Sequence, residues 1–588
     1  MAKEKIDMIV LQLINNFLYS LVDEMTQAVV RTSFSPLIRD AFDFQCAICR
    51  ADGDVILEGE GISVYSMVYP TLIKNWMKEH ADTTYPGDTI ITNDPYAGGS
   101  HLPDFHMFHP IFVGDELVAW TASGGHMKDI GGAVYGSCAC DSTDIYQEGL
   151  RIPPMKLYER GVPNDTLFQI MRAMSRTPDI LLGDVHAWQS SCLIGERRFM
   201  QLVETYSIET LKLYFDELID YAERLTRAEI KAMPDGEYEF TDYLDDGGTG
   251  YVDAEGKVIS DPLPIHVKIT VKGDSITFDF TGTAPQVKGA MNNPYGTTMA
   301  TALCNLRLIL DPDIPRNSGT MRPLTLIYPY GTLLNPKLPG AVAGRGATFG
   351  RMSDAVQGAE AQLAPDKMLA CPTNIDTLLC IGGHDETGSP FVFMETIFGG
   401  WGGRPFADGI DYNTIPVFNY GNQPCEVNEE LFPLMCNQYA YTTDREGAGK
   451  YRGSVALIRE WKLLTDEAIL QLRTDRQRTA PYGLYGGESG TYSESIINPD
   501  TENRHIGKIT ISLKKGDVYR VITSGAGGWG DPLERDPELV LKDVRDEKVS
   551  VKRAREAYGV VINEAALEVN MAETEKLRRK MKEDKKNV

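Results

Sequence analysis

The sequence predicts a multidomain α+β protein. Its 588 residues are enough for two to four domains of about 100 to 200 residues each. Hydrophobic residues make up 42% of the chain and charged residues 24%, as in proteins with a closed apolar core. Helical and strand-like patterns alternate in the N-terminal part, and short, glycine-punctuated strand patterns follow. A disordered chain and a single-helix peptide are therefore excluded.

Changes in pattern divide the chain into four predicted segments. Residues 1–234 alternate strands and helices, 235–335 carry short β patterns, 336–535 are dense in glycine and 536–588 are helical. We therefore expect an N-terminal mixed α/β domain, then β-rich and glycine-rich domains, and a C-terminal helical tail.

The elements of the first segment follow from periodicity. Apolar side chains recur at helical spacing from residue 5 to 32, which predicts a long amphipathic helix with the apolar row Ile9, Leu13, Phe17, Leu21, Met25 and Val29. Two alternating runs around Ala-Asp-Gly-Asp predict a hairpin over 43–56. The other predicted elements are helices at 69–80, 201–232 and 297–309 and strands at 107–113 and 116–122.

The charge and the cysteines restrict partners and compartment. Asp and Glu outnumber Lys and Arg by 83 to 58, so the formal charge is -25. A field of this sign repels phosphate backbones and anionic lipid, so nucleic acid and membrane surfaces are not expected partners. The sequence shows neither a signal peptide nor an apolar run long enough to span a bilayer. Ten cysteines are too sparse for a disulfide scaffold, and a reducing cytoplasmic location is expected.

Two cysteine pairs offer a choice between zinc binding and packing. Cys46 and Cys49 form one pair, and Cys138 and Cys140 the other. The distance between the pairs far exceeds that in compact zinc modules, and the first pair lies in a strand-like stretch. We interpret these thiols as buried, small apolar side chains.

The stretch that carries the most chemistry is Asn93-Asp94-Pro95-Tyr96-Ala97-Gly98-Gly99-Ser100-His101-Leu102-Pro103-Asp104. His101 and Asp104 lie three residues apart with a proline between them, on a loop that the glycines allow to turn sharply. His126 follows a predicted strand, whose end delivers its side chain to the rim of the same sheet. With Asp43 as a further member, the set mixes nitrogen and oxygen donors suited to Zn²⁺, Mn²⁺ or Fe²⁺.

The alternative is that this spacing arises by chance. A His-x-x-Asp pattern with a distant histidine is common in proteins without metal. His106 and His109 alternate with apolar residues in the following strand, so we interpret them as packing groups or as supports for the site. The sequence contains no Walker A motif, and Gly525–Gly530 is followed by Asp-Pro rather than a helix, so nucleotide binding by this chain is not expected.

Several long motifs, in order, resemble those of the hydantoinase B / 5-oxoprolinase / acetone carboxylase alpha subunit family, and the resemblance extends to about residue 560. The motifs are DFQCAI, PGDTIITNDPYAGGSHLPD, HMKDIGG, EGLRIPP, ITFDFTGTAPQVKGAMN, DIPRNSG, EGAGKYRGS and GGWGDPLERDPELVLKDV. The resemblance implies a metal-bearing catalytic subunit in a hetero-oligomer with an actin-like, ATP-binding hydantoinase A-type subunit. It also implies that Asp43, His101, Asp104 and His126 bind a divalent metal, most simply zinc, with manganese or iron as alternatives.

Departures from the family pattern concern the substrate pocket. Tyr65 and Met127 stand where hydantoinases commonly carry histidine, so we predict that both line a less polar pocket. Glu148 and Arg151 are expected either to bind substrate or phosphate or to form a structural ion pair. Asp129 is expected to orient His126 or to accept a proton.

The resemblance implies ATP-dependent opening of a cyclic amide, such as a lactam, a hydantoin or 5-oxoproline. The partner would phosphorylate the amide oxygen, and the metal would supply the nucleophile near neutral pH. One alternative is carboxylation of a ketone with bicarbonate, which would involve a small third subunit. The other is a scaffold subunit without chemistry, against which the intact His101, Asp104 and His126 argue.

Overall fold

The computed structural model describes residues 6–66, 68–249, 262–374 and 377–586. The helices are α1 Met8–Thr32, α2 Pro36–Arg39, α3 Ser63–Ser66, α4 Val68–His80, α5 Asp165–Met174, α6 Pro178–Tyr206, α7 Ile208–Ala232, α8 Tyr295–Ile309, α9 Arg345–Leu363, α10 Cys425–Leu431, α11 Pro537–Arg545, α12 Val551–Glu556 and α13 Met571–Lys586. The mixed α and β composition predicted from the sequence is confirmed.

The strands form several separate sheets. They are β1 Phe44–Arg50, β2 Val55–Glu58, β3 Thr89–Thr92, β4 Asp104–Val113, β5 Glu116–His126, β6 Met155–Glu159, β7 Val162–Pro163, β8 Gly236–Leu244, β9 Leu263–Lys272, β10 Ser275–Asp279, β11 Leu324–Ile327, β12 Thr377–His384, β13 Pro390–Ile397, β14 Leu434–Tyr441, β15 Leu457–Leu463, β16 Glu467–Thr474, β17 Glu494–Ile497, β18 Arg504–His505, β19 Ile509–Lys514, β20 Val518–Ile522, β21 Ile562–Asn563 and β22 Glu568–Val569.

The N-terminal part is built on a seven-stranded sheet in the order β2-β1-β5-β4-β3-β6-β7. Both of its faces are covered, which explains why β1 is buried along almost its whole length. Cys46 and Ile48 pack into the core that α1 and α6 share, whereas Ala47 and Cys49 pack on the opposite face against α4. The predicted hairpin is present as β1 and β2.

Helix α1 confirms the predicted N-terminal helix, but its buried face is rotated from the predicted row. Asp7 caps the helix by accepting a hydrogen bond from the Ile9 amide at 2.8 Å. Ile9 and Leu13 are exposed, because the helix packs on α6 and the sheet through a neighbouring row. That row is Leu11, Ile14, Leu18, Leu21, Val22, Met25 and Val29.

The second sheet has the order β11-β10-β9-β8 and packs against α8 and α9. Helix α9 belongs to the predicted glycine-rich segment in sequence, but Ala355, Val356 and Ala359 join the same core as Ile265 and Val267 of β9. The core therefore continues across residue 335, and the domain boundary drawn there remains a sequence-based prediction.

Two further sheets and a helical tail complete the chain. The sheet β13-β12-β16-β19 packs on the sheet β14-β15-β20-β17-β18, with Phe393, Trp461 and Tyr519 in their shared core. Helices α11 and α12 and the β21–β22 hairpin enclose a small core of their own around Tyr558. The stretch predicted as one helix at 201–232 belongs to α6 and α7, which meet at Ser207 with its φ of +60°.

The cysteines and the long helices of this fold agree with the sequence-based expectations. All ten cysteines are free, and eight of them are buried, in line with the packing interpretation. Among the described residues, no cluster of three or more metal-ligand atoms includes Cys46, Cys49, Cys138 or Cys140. In the described part of the chain, no helix combines the length and apolar character that crossing a bilayer requires.

Candidate metal centre

A small cavity lies where the ends of the N-terminal sheet, the start of α9 and the β12-β13-β16 region meet. Its volume is about 50 Å³. The N-terminal part contributes Leu37, Asp43, Tyr65, His101 and His126, and the segment around the start of α9 contributes Ala343, Arg345, Gly346 and Phe349. The C-terminal half contributes Leu378, Leu379, Met394, Glu395, Thr396, Phe418, Tyr420 and Arg473. The cavity is thus assembled from segments far apart in sequence.

The loop between β3 and β4 delivers His101 to this cavity. Asp94 caps a short 3₁₀ turn at Pro95–Ala97, and Gly98 follows with a φ of +116°, which a side chain would disfavour. Asn93 holds the far side of the loop by donating to the Leu102 carbonyl at 2.6 Å. The Asp104 amide then donates to the His101 carbonyl at 2.9 Å, which closes the turn.

Strand pairing brings His126 to the same place. Asp104 begins β4 and His126 ends β5, and the two are directly paired in the antiparallel register. The His126 amide also donates to the Asp43 carbonyl at 3.0 Å. Gly125 lies against that carbonyl so closely that a side chain would clash with it, which lets β1 and β5 approach. The predicted meeting of these residues at one rim of the sheet is therefore present.

Three donor atoms form a nearly equilateral triangle. His101 Nε2 lies 3.0 Å from Asp104 Oδ1 and 3.1 Å from His126 Nδ1, and His126 Nδ1 lies 3.0 Å from Asp104 Oδ1. Ligand atoms at right angles around an ion, with bonds of about 2.1 Å, are about 3.0 Å apart. The three atoms therefore have the spacing of one face of a metal coordination sphere, and the donor set fits a divalent transition metal.

The contact of His101 Nδ1 suits metal binding through Nε2. Nδ1 lies 3.3 Å from the Ala343 carbonyl oxygen, which can only accept, so with a metal on Nε2 the ring would carry its proton on Nδ1. Burial lowers the pKa of His101 to about 3, and the ring is neutral at pH 7. A neutral imidazole is the form that binds metal.

Asp104 is held as a carboxylate by cationic and hydroxyl neighbours. Its Oδ2 accepts hydrogen bonds from the Ser100 hydroxyl and from the Arg345 guanidinium. Burial opposes ionisation, but His101 and Arg345 hold the pKa of Asp104 well below its usual range. Arg345 and Ser100 were not singled out in the sequence. Ser100 lies within the recognised motif, whereas Arg345 is more than two hundred residues away and follows no recognisable pattern.

Asp43 faces the cavity without belonging to the triangle. The Tyr65 hydroxyl donates to Asp43 Oδ1 at 2.7 Å and lies 3.1 Å from Asp104 Oδ1, so it links the two carboxylates. Burial raises the pKa of Asp43 to about 6, and it is therefore mostly ionised at pH 7. Tyr65 lines the cavity, as predicted, and the His106 ring meets it edge-on.

Other predicted site residues have structural partners outside the cavity. Asp129 does not contact His126, because its oxygens accept from the amides of Gly131, Gly136 and Arg176 and from the Arg176 guanidinium. The expectation that Asp129 orients His126 or accepts a proton therefore has no geometric basis. Met127 packs in the core around α1 and α6 instead of lining the cavity.

Glu148 and Arg151 hold backbone segments that lead to the site. Glu148 Oε1 accepts from the amides of Val342 and Ala343 at 2.7 and 2.8 Å, directly before α9, and burial raises the pKa of Glu148 well above its usual value. Arg151 donates to Asp94 at 2.7 Å, so the ion-pair alternative applies to Arg151, with Asp94 as its partner. Neither side chain lines the cavity, so the expected contacts with substrate have no geometric basis. Both side chains instead hold the loops that lead to the site.

A second cluster of possible ligands has a different explanation. Asp242, Asp354 and Cys371 also lie close together and are buried. The Arg476 guanidinium donates to both carboxylates at 2.6 Å and lies 3.2 Å from the Cys371 sulfur. Because a cation already fills this cluster, we interpret it as an ion-pair network between α9, β8 and the segment after β16.

The comparisons with known proteins agree with the motifs. Residues 7–532 match the family described as Hydantoinase B/oxoprolinase. The chain belongs to the hydantoinase B/oxoprolinase family. A Pseudomonas sp. protein, named as the B component of a putative D-/L-hydantoinase, is 33% identical to it over 98% of both chains. The predicted family membership is thereby confirmed.

Two solved structures share the fold of this hydantoinase B/oxoprolinase family member over nearly its whole length. The ATP-dependent caprolactamase from Pseudomonas jessenii aligns with a TM-score of 0.90 and 28% identity, covering 98% of this chain and 100% of that one. An acetone carboxylase aligns with a TM-score of 0.91, covering 98% of this chain and 83% of that one. At 19% identity, the second likeness concerns the fold alone.

Metal binding is expected to release a proton. Burial opposes the charge on His126, but Asp104, Cys138 and Asp43 outweigh it and raise the pKa of His126 to about 10. In protein freed of metal by a chelator, His126 should therefore be protonated at pH 7.5, and a metal ion must displace that proton. Calorimetric titration with Zn²⁺ or Mn²⁺ in buffers of different ionisation enthalpy should show about one proton released per ion, with affinity rising as the pH rises toward 10. Binding without proton release would contradict this assignment.

Proposed function

We propose that this chain is the metal-bearing catalytic subunit of an ATP-dependent cyclic amide hydrolase. The observation that carries the proposal is the triangle of His101, Asp104 and His126 at a small cavity. The proposal is further supported by the alignment of this chain with an ATP-dependent caprolactamase, which covers 98% of this chain. Hydantoinase, oxoprolinase and caprolactamase are all names of enzymes that open a cyclic amide.

We propose a division of labour between this chain and an actin-like, A-type partner. Two relatives favour such an assembly, because their names make one the B component of a hydantoinase and the other the beta component of a caprolactamase. The partner would transfer the γ-phosphoryl group of ATP to the amide oxygen, giving ADP and an O-phosphorylated imidate. At this chain, one water would add to the imidate carbon, and as the carbon–nitrogen bond breaks both protons of that water would pass to the nitrogen, which leaves as an amine. A second water would hydrolyse the resulting acyl phosphate to carboxylate and phosphate.

The residues of the cavity have distinct roles in this proposal. His101, Asp104 and His126 would hold the metal, and Asp43, fixed by Tyr65, would complete the donor set. A divalent ion held there, zinc, manganese or iron, supplies Lewis acidity and makes water nucleophilic near neutral pH. Arg345 and Ser100 keep Asp104 ionised and in place. Phe349, Leu378 and Phe418 give the cavity apolar walls that limit access of bulk water.

The test is product formation by the complex co-purified with its A-type partner. The substrates are caprolactam, other lactams, hydantoins, 5-oxoproline and ketones, each with and without ATP and with and without bicarbonate. The proposal predicts a ring-opened amino acid or its carbamoyl derivative from at least one cyclic amide, with ATP and without bicarbonate. A β-keto acid formed only from ketone and bicarbonate would overturn the proposal in favour of a carboxylase, for which a small third subunit is the expected companion. A complex that turns over ATP with none of the substrates in the panel would also contradict the proposal.

A further inference from the structure

Arg473 is a buried arginine at the metal-site cavity. It lies on β16, and its side chain is 3% exposed and lines the cavity. Arg473 thus places a positive charge from the C-terminal half of the chain at a site whose candidate metal ligands all come from the N-terminal part. Its place in a central strand fixes its backbone, so the position of the guanidinium is determined by the fold.

Arg473 differs from the other buried arginines in lacking an acidic partner. Arg345 contacts Asp104, and Arg459 donates to Glu395 at 2.7 Å. Within the described residues, Arg473 makes no hydrogen bond or ion pair, and its Nε is buried without a hydrogen-bond partner. Its charge acts on the buried thiols of Cys138, Cys140 and Cys380, and a thiol is only a weak acceptor for a guanidinium.

A buried charge without a counter-charge is strongly unfavourable, so this site favours an anion. The nearby carboxylates contact other groups: Asp104 is matched by Arg345, Glu395 by Arg459 and Trp461, and Asp43 accepts from the Tyr65 hydroxyl. The start of α9, at Arg345 and Gly346, lines the same cavity and adds the positive end of a helix of 19 residues. A divalent ion on the triangle would increase the positive potential further.

We propose that Arg473 binds the anionic oxygens of the substrate, through the paired N–H groups with which guanidinium recognises phosphate and carboxylate. The inference rests on the proposed function for the identity of this anion. The anion is either the phosphoryl group of the O-phosphorylated amide or a carboxylate on the ring, as in 5-oxoproline. Arg473 thereby selects substrates that carry an oxyanion when they reach the metal centre.

The first test measures the thermal stability of the full-length chain, without partner or ATP. Arg473→Met removes the charge at similar volume, and Arg473→Lys keeps the charge but lacks the paired N–H groups of guanidinium. Arg39→Met is a control at an exposed arginine. Without anion, Arg473→Met should unfold at the same temperature as the wild type or higher, because an unmatched buried charge is removed. Inorganic phosphate should raise the unfolding temperature of the wild type and of Arg39→Met by similar amounts. It should raise that of Arg473→Lys by a smaller amount and leave that of Arg473→Met unchanged.

The second test separates the two sources of the anion by calorimetry. If the carboxylate is the partner, 5-oxoproline should bind the wild type about tenfold or more tightly than 2-pyrrolidinone, which lacks the carboxylate, and Arg473→Met should abolish that difference. If the phosphoryl group is the partner, only phosphate binding should depend on Arg473. Equal binding of both probes by the wild type and Arg473→Met would overturn the inference. A variant that is less stable than the wild type, or that fails to fold, would also overturn it.

These readouts do not depend on turnover. A complex that opens no cyclic amide would remove the proposed function but leave the dependence of anion binding on Arg473 measurable. Conversely, ring opening with an unchanged KM in Arg473→Met would leave the proposed function intact and reject this inference.

Discussion

Replacing His101 with alanine is expected to abolish metal binding and to lower the rate of ring opening about a thousandfold or more. The triangle would lose one of its three donors, leaving Asp104 Oδ1 and His126 Nδ1, which are too few for tight binding of a divalent ion. The measurements are the metal content of the purified chain and kcat of the complex with its A-type partner. Because His101 makes few contacts besides those of the site, the variant should fold.

His109→Ala is the matched control for this prediction. His109 is also a fully buried histidine and belongs to β4, but it contacts Thr89 and Glu196 and does not line the cavity. The control variant should keep its metal, and its kcat should stay close to that of the unaltered complex. A His101→Ala protein that keeps its metal, or equal losses in the two variants, would contradict the assignment of the triangle.

Replacing Arg476 with methionine is expected to lower the free energy of unfolding by about 3–5 kcal/mol. The Arg476 guanidinium is fully buried and donates to Asp242 at 2.6 and 3.0 Å and to Asp354 at 2.6 Å. It therefore joins β8, α9 and the segment after β16. The substitution leaves the Asp242 carboxylate buried without the two hydrogen bonds that it accepts from Arg476. Urea denaturation followed by circular dichroism measures the loss.

An exposed ion pair provides the control for Arg476. Arg172 lies 3.0 Å from Asp179, but both side chains are mostly exposed. Arg172→Met should change the free energy of unfolding by less than about 1 kcal/mol, as is typical of exposed pairs. Similar losses for the two variants would show that the buried network does not join the segments as described.

Part of the metal site could be predicted from the sequence because its residues lie in or beside one recognisable loop. The three-residue spacing of His101 and Asp104 limits how far apart they can lie, and His126 follows a strand that pairs with the one that Asp104 begins. The fold class was predictable for a similar reason, since alternation and helical periodicity are local. The face of α1 was harder to predict, because two overlapping apolar rows compete and only packing on α6 selects between them.

The rest of the cavity depends on contacts distant in sequence. Arg345 and Arg473 reach the site only because α9 and β16 pack against the end of the N-terminal sheet, and no spacing rule connects them with His101. The same limitation explains the outcome for Asp129 and Glu148. Both lie in motifs beside the site, but backbone amides of glycine-rich and irregular segments occupy their oxygens. Proximity in sequence suggested a catalytic role for Asp129 and a contact with substrate for Glu148, whereas in the structure both side chains hold loops.

The rate of ring opening by the complex as a function of added metal tests whether the site at His101, Asp104 and His126 is catalytic. The complex is first stripped with a chelator, and Zn²⁺, Mn²⁺ or Fe²⁺ is then returned in small increments with ATP and a cyclic amide present. We expect no product without metal, and a rate that rises until about one ion is bound per chain and then stays constant. Undiminished ring opening in the presence of the chelator, with no metal detected in the protein, would contradict it.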